Sequence, residues 1–89
     1  MHLRNSVLWF AQKMEAKLRE NDHKPYWRDQ TQSYLLGYLE GELRELRKEL
    51  YRDELDRDKV ISEAVDVGNM AMMIADNMGR VLRPESKGR

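Results

Sequence analysis

Apolar residues recur along this chain at intervals of three and four, the spacing of helices that turn one side to a core. Leu3, Val7, Phe10, Met14 and Leu18 form the first such stripe and predict a helix over residues 3–21. Pro25 is placed to end it, because proline lacks the amide donor and clashes with the preceding turn. Residues 21–28 then read as a loop. Asp29, with Gln32 three positions on, has the form of a capping box and predicts a second helix running to about Tyr51. Leu36, Leu39, Leu43, Leu46 and Leu50 give that helix a leucine seam. Gly37 and Gly41 cost it about 1 kcal/mol each relative to alanine, which points to a close approach at that surface.

Residues 51–57 form a charged connection, short enough to join the second helix and a third as an antiparallel hairpin. Asp56 or Asp58 caps this third helix, which reaches about Met78; Gly79 is placed to close it, and residues 80–89 read as a flexible basic tail. The third helix carries two stripes. Val60, Ala64, Val67, Ala71, Ile74 and Met78 make one; Ile61, Val65, Gly68, Met72 and Ala75 make the other. A helix apolar on two sides needs cover on two sides. Two further helices can barely supply it, so a partner chain is expected. The expected fold is a single all-α domain over 1–89, with a central helical hairpin that pairs across a dimer into a four-helix-type bundle. A dimer of such dimers satisfies the same logic.

Composition narrows the function. Eighty-nine residues make one domain with a thin core. The absence of cysteine removes disulfide and thiolate chemistry and fits a reducing compartment. No run approaches the roughly 20 apolar residues of a membrane span, and no signal-peptide core follows the first residues. The expectation is a cytoplasmic protein, in host cytoplasm if phage-encoded, with no membrane partner. Sixteen bases balance sixteen acids, but residues 40–66 hold ten acids against six bases. An acidic centre argues against a duplex nucleic-acid surface and suits cation binding.

The acids themselves carry the chemistry. Glu42 and Glu45 lie three apart on the second helix, and Glu63 and Asp66 repeat that spacing on the third. An antiparallel hairpin can bring the pairs face to face, where four carboxylates would repel unless cations lay between them. Hard oxygen ligands of this kind suit Mg²⁺, which keeps waters and phosphate oxygens as its other ligands. ExxE alone is usually a solvated face. Glu63 and Asp66 are more informative because they interrupt an apolar segment, Val60 to Met70, where unpaired acids are costly. The structural alternative is a buried ion pair to Arg44, Arg47 or Lys48.

Leu39-Glu40-Gly41-Glu42-Leu43-Arg44-Glu45-Leu46, then Glu63-Ala64-Val65-Asp66 after seventeen residues, resembles the ExxE…ExxD signature of the MazG-like all-α nucleoside triphosphate pyrophosphohydrolases. Asp66 to Asp76, and upstream Met14 to Leu18, His23-Lys24 and Trp27, look like phage-type members, so the likeness spans about residues 8–78. Gly41 departs from relatives that carry an acid there, which bears on the number of metals; Glu40 and Glu49 flank the site. The resemblance implies hydrolysis between the α and β phosphates, giving a nucleoside monophosphate and pyrophosphate. A purine deoxynucleotide is the substrate that the phage-type likeness favours. Glu42, Glu45, Glu63 and Asp66 would hold Mg²⁺, with Mn²⁺ as a substitute, and Glu42 or Glu45 would position or deprotonate the attacking water.

Four further residues are candidates for substrate. Asn69 follows Asp66 by one turn and can reach metal-linked water, sugar or base, or serve a buried hydrogen bond. Lys17 and Lys24 can meet phosphates or simply solvate the surface. Trp27, beside Tyr26, can stack on a base or close a helix end. Asp76 reads as structural, His23 as solvated, and Met70, Met72, Met73 and Met78 as core or interface filler. The competing class is a non-catalytic oligomeric helical interaction or regulatory protein. Asp66→Leu separates the two: an interaction bundle tolerates it, whereas the enzyme loses its metal.

Overall fold

The computed structural model describes residues 1–22 and 27–80, and every regular element among them is helical. Helix α1 spans Asn5–Glu20, a 3-10 turn covers Trp27–Asp29, α2 spans Gln32–Leu50 and α3 spans Arg57–Gly79. Each long helix ends within two residues of its expected bounds. The local causes differ in part. At the end of α1, Asn21 Nδ2 donates to the Lys17 carbonyl at 3.1 Å, and Lys17 and Arg19 set positive charge against the dipole. Pro25 lies outside the described residues. The cap of α2 is Thr31, whose Oγ1 accepts from the Tyr34 amide at 3.1 Å. The expectation for Asp29 is corrected: it belongs to the 3-10 turn, and Thr31 meets the same local need.

Asp56, rather than Asp58, caps α3 by accepting from the Lys59 amide at 3.2 Å. Gly79 is the last residue of α3 but forms no left-handed cap, for Arg80 follows with right-handed angles (φ −61°, ψ −27°). The tail beyond Arg80 lies outside the described residues.

Helices α2 and α3 pack closely as a hairpin, and α1 lies against α3. The seam of α2 is offset from the leucine stripe. Leu35 is buried and Leu39, Glu42 and Leu46 are half-buried, while Leu36, Leu43 and Leu50 are exposed. Only one of the expected α3 stripes is well covered. Val65 is buried, and a Cβ on Gly68 would stand 2.8 Å from the Phe10 ring, so glycine is what lets α1 approach there. Gly37 has nothing within 4 Å of its would-be Cβ among the described residues, so the close approach expected at that glycine does not occur among them. Leu35 and Val65 are the only buried apolar side chains among the described residues. No described helix is long and apolar enough to cross a membrane.

Candidate functional site

The hairpin brings acids from two helices together. Glu42 sits in the seam of α2, and Glu63 and Asp66 lie one turn apart on α3. Each offers a carboxylate oxygen within 4.8 Å of the others. All three are half-buried. Glu45 is not part of this trio. Three residues along a helix turn the side chain about 60° short of a full circle, and that carries Glu45 from the seam toward solvent. Its side chain is 52% exposed, and its carboxylate lies 3.4 Å from Lys48 Nζ. It remains near enough for its charge to be felt by Glu42 and Glu63.

The electrostatics record the crowding. Burial foremost, then the charges of Asp66, Glu63 and Glu45, and a side-chain hydrogen bond with Asp66, hold the Glu42 carboxyl above its ordinary pKa. Glu63 is also raised, by burial first and then by Asp66, Glu45 and Glu49, against an opposing effect of Lys17. Among the described residues, one cation pairs with the trio: Lys17 Nζ stands 3.6 Å from Asp66 and donates to Ser62 Oγ at 2.7 Å. Neither Glu63 nor Asp66 pairs with Arg44, Arg47 or Lys48 among the described residues; Lys48 is turned to Glu45. Glu49 pairs with Arg52 at 3.1 Å, and Glu40 is exposed. Three acids against one lysine leave net negative charge. Hard carboxylate oxygens at this separation are a donor set suited to a divalent cation.

Glu42 and Asp66 also line a cavity of about 630 Å³ that runs between the end of α1, the start of α2 and α3. Its wall includes Asn69, Trp27, Tyr34 and Tyr38. Asn69 is 4% exposed; its Nδ2 donates to the Met14 carbonyl at 3.3 Å, while its Oδ1 is buried without a partner. The carbonyl of Met14 fixes the amide orientation, since only Nδ2 can donate to it. Trp27 is held from outside the wall. Its indole N–H donates to Asp76 Oδ2 at 2.8 Å, and Asn77 Nδ2 donates to the Trp27 carbonyl at 3.2 Å. Arg28 lies 3.5 Å from the same Asp76 oxygen.

Asp76 is therefore structural, as expected, and the structure supplies what it holds. Lys24 lies outside the described residues, as do His23 and Tyr26. Ser62, Tyr34 and Tyr38 had no sequence signal of their own, since each becomes relevant only through a residue on another helix or through the groove. Compared with known families, curated proteins and solved structures, the chain matches none.

Proposed function

We propose that this chain hydrolyses a nucleoside triphosphate between its α and β phosphates, releasing nucleoside monophosphate and pyrophosphate in a Mg²⁺-dependent reaction. The observation that carries the reading is the convergence of Glu42, Glu63 and Asp66 within 4.8 Å, with Glu42 and Asp66 lining a cavity of about 630 Å³. Acids from two helices, half-buried and with two of them raised in pKa, are poorly explained by packing alone. The likeness of the two motifs to the MazG-like pyrophosphohydrolases supports the same reading and favours a purine deoxynucleotide. The protein would act as an oligomer.

In this scheme Glu42, Glu63 and Asp66 hold the cation. A bound Mg²⁺ would neutralise phosphate charge and acidify a water molecule. Glu45, beside the trio but outside it, is the residue assigned to accept a proton from the attacking water. Asn69 lies one turn beyond Asp66, about 4.5 Å along the helix axis. Its unpartnered Oδ1 is assigned to a sugar hydroxyl. Trp27 and the tyrosines of α2 provide apolar wall for the base. Lys17 holds Asp66 in place until the cation takes over that charge.

The Lys17–Asp66 pair is also what favours the second reading, a non-catalytic helical interaction protein whose acids are structural. The two are separated by incubating a panel of canonical and modified nucleoside triphosphates with the protein and Mg²⁺ or Mn²⁺, with and without EDTA, and identifying products by phosphorus NMR. Pyrophosphate and monophosphate that disappear with EDTA support the enzyme, and the panel names the base. No turnover of any nucleotide, with no divalent cation binding by calorimetry, would leave the interaction protein as the better explanation.

A further inference from the structure

Glu42 and Asp66 line one end of the cavity. At the other, where α1 stops and α2 begins, its wall includes Asn21, Trp27 and Gln30. Asn69 and Met73 line the stretch between. Along α3, Met73 lies about 10.5 Å beyond Asp66 and Asp76 about 15 Å beyond it, and Asp76 holds the Trp27 indole at 2.8 Å. Phosphate, sugar and base follow one another in a nucleotide as Asp66, Asn69 and Met73 do along this wall. With the acids on the phosphates, the base reaches the Trp27 end. Three side-chain amides line the cavity, and they are not equivalent. Asn21 Nδ2 is committed to the Lys17 carbonyl and Asn69 Nδ2 to the Met14 carbonyl, which leaves each with its oxygen alone. Gln30 is half-buried, and its amide donor and acceptor are both free among the described residues. Its backbone, by contrast, is fixed. The Gln30 N–H donates to the Trp27 carbonyl at 3.0 Å, and Asn77 on α3 donates to the same carbonyl at 3.2 Å. A free amide on an anchored turn is preorganised for a ligand.

We infer that Gln30 is the residue that determines base specificity, by pairing with a purine edge that carries a donor beside an acceptor, as adenine does at N6 and N7. The inference rests on the nucleotide reading proposed above. A glutamine amide sets its N–H donors beside its carbonyl acceptor and pairs bidentately with that edge. Guanine presents two acceptors, O6 and N7, at the same place, which leaves the glutamine carbonyl opposite an acceptor. Trp27 offers a face for stacking, and every base has a face to stack, so it adds affinity without choosing among them. The choice falls to Gln30.

The test is calorimetric binding of three non-hydrolysable α,β-imido triphosphates as their Mg²⁺ complexes: those of deoxyadenosine, deoxyguanosine and purine deoxyriboside, which lacks the 6-amino group. Each is titrated into the full chain, wild type beside Gln30→Leu and Gln30→Arg, with helicity followed by circular dichroism. Wild type is expected to bind the adenine compound about tenfold more tightly than the other two. Gln30→Leu should bind all three alike, at the level of the weaker wild-type ligands. Gln30→Arg, whose guanidinium matches two acceptors, should turn the preference to guanine. The wild-type ratio of adenine to the amino-free compound needs no variant, so a loss of helicity in either variant leaves the question answered. A wild type that binds all three alike, a Gln30→Leu that keeps the adenine preference, or one that loses affinity equally for every base would overturn the assignment while leaving the nucleotide reading in place. If none of the three binds wild type, the nucleotide reading itself fails and the role of Gln30 falls with it.

Discussion

At the scale of single residues the site is a balance of charge. Glu42 and Glu63 have pKa values raised by burial and by neighbouring acids. A carboxyl whose folded pKa exceeds its unfolded value binds more protons when folded, so stability falls as pH rises between the two values. The cation-free protein should therefore lose stability above about pH 4.5, the ordinary value for these groups. Thermal melts across pH in EDTA would check this, with Glu42→Gln raising the neutral-pH Tm; a wild type that gains stability on the way to neutrality would count against a crowded acidic site. Mg²⁺ should restore the lost stability at neutral pH by binding the ionised, folded form.

Glu45 gives a sharper residue-level prediction. Lying outside the trio, it should be dispensable for cation binding, so Glu45→Gln should keep the calorimetric affinity while losing about 10²–10⁴-fold in kcat. Loss of both together would return Glu45 to the ligand set. The sequence placed Glu42 and Glu45 on one face, and so could not separate them. Which of two residues 60° apart faces α3 depends on the rotation of α2 about its axis, and that is set by packing of Leu35, Leu39 and Leu46.

At the scale of elements, helix existence and length were readable because amphipathic period and breakers agree. The start of α2 was not. Asp29 and Thr31 are both competent caps, and the choice is made by distant residues: Asp76 and Asn77 on α3 hold Trp27 and so draw residues 27–29 into a separate turn. Glycines divide in the same way. Gly37 has open space around its missing Cβ, so Gly37→Ala should stabilise by about 1 kcal/mol, a Tm rise of about 4–8 °C for a chain this size. Gly68→Ala should give no such gain, because its Cβ would press on Phe10. Thermal melts of both variants check the contrast, and equal gains would show that α1 is not held against Gly68. Asp76→Ala should release Trp27, costing about 1–3 kcal/mol by stranding the indole donor; a Tm unchanged from wild type would contradict that link.

At the scale of the molecule, the two-stripe pattern of α3 carried the architecture. One stripe meets α1, and the other belongs to a hairpin face that α2 extends with its outer leucines. The hairpin and the meeting of its acids were legible because a short connection joins helices whose acids repeat at matching intervals. The cavity wall was less so. Tyr34, Tyr38 and the unpartnered oxygen of Asn69 acquire meaning only once α1 closes one side of the groove.

Whether the three converging acids bind a cation for phosphate chemistry decides the function of the whole molecule. The rate of pyrophosphate release as a function of Mg²⁺, for wild type beside Asp66→Asn and with the nucleotide that the panel selects, answers it. A saturable Mg²⁺ dependence is expected in wild type and a loss of at least about 10²-fold in the variant, with helicity retained. Release that is independent of Mg²⁺, or undiminished in Asp66→Asn, would contradict the assignment of these acids to a catalytic metal.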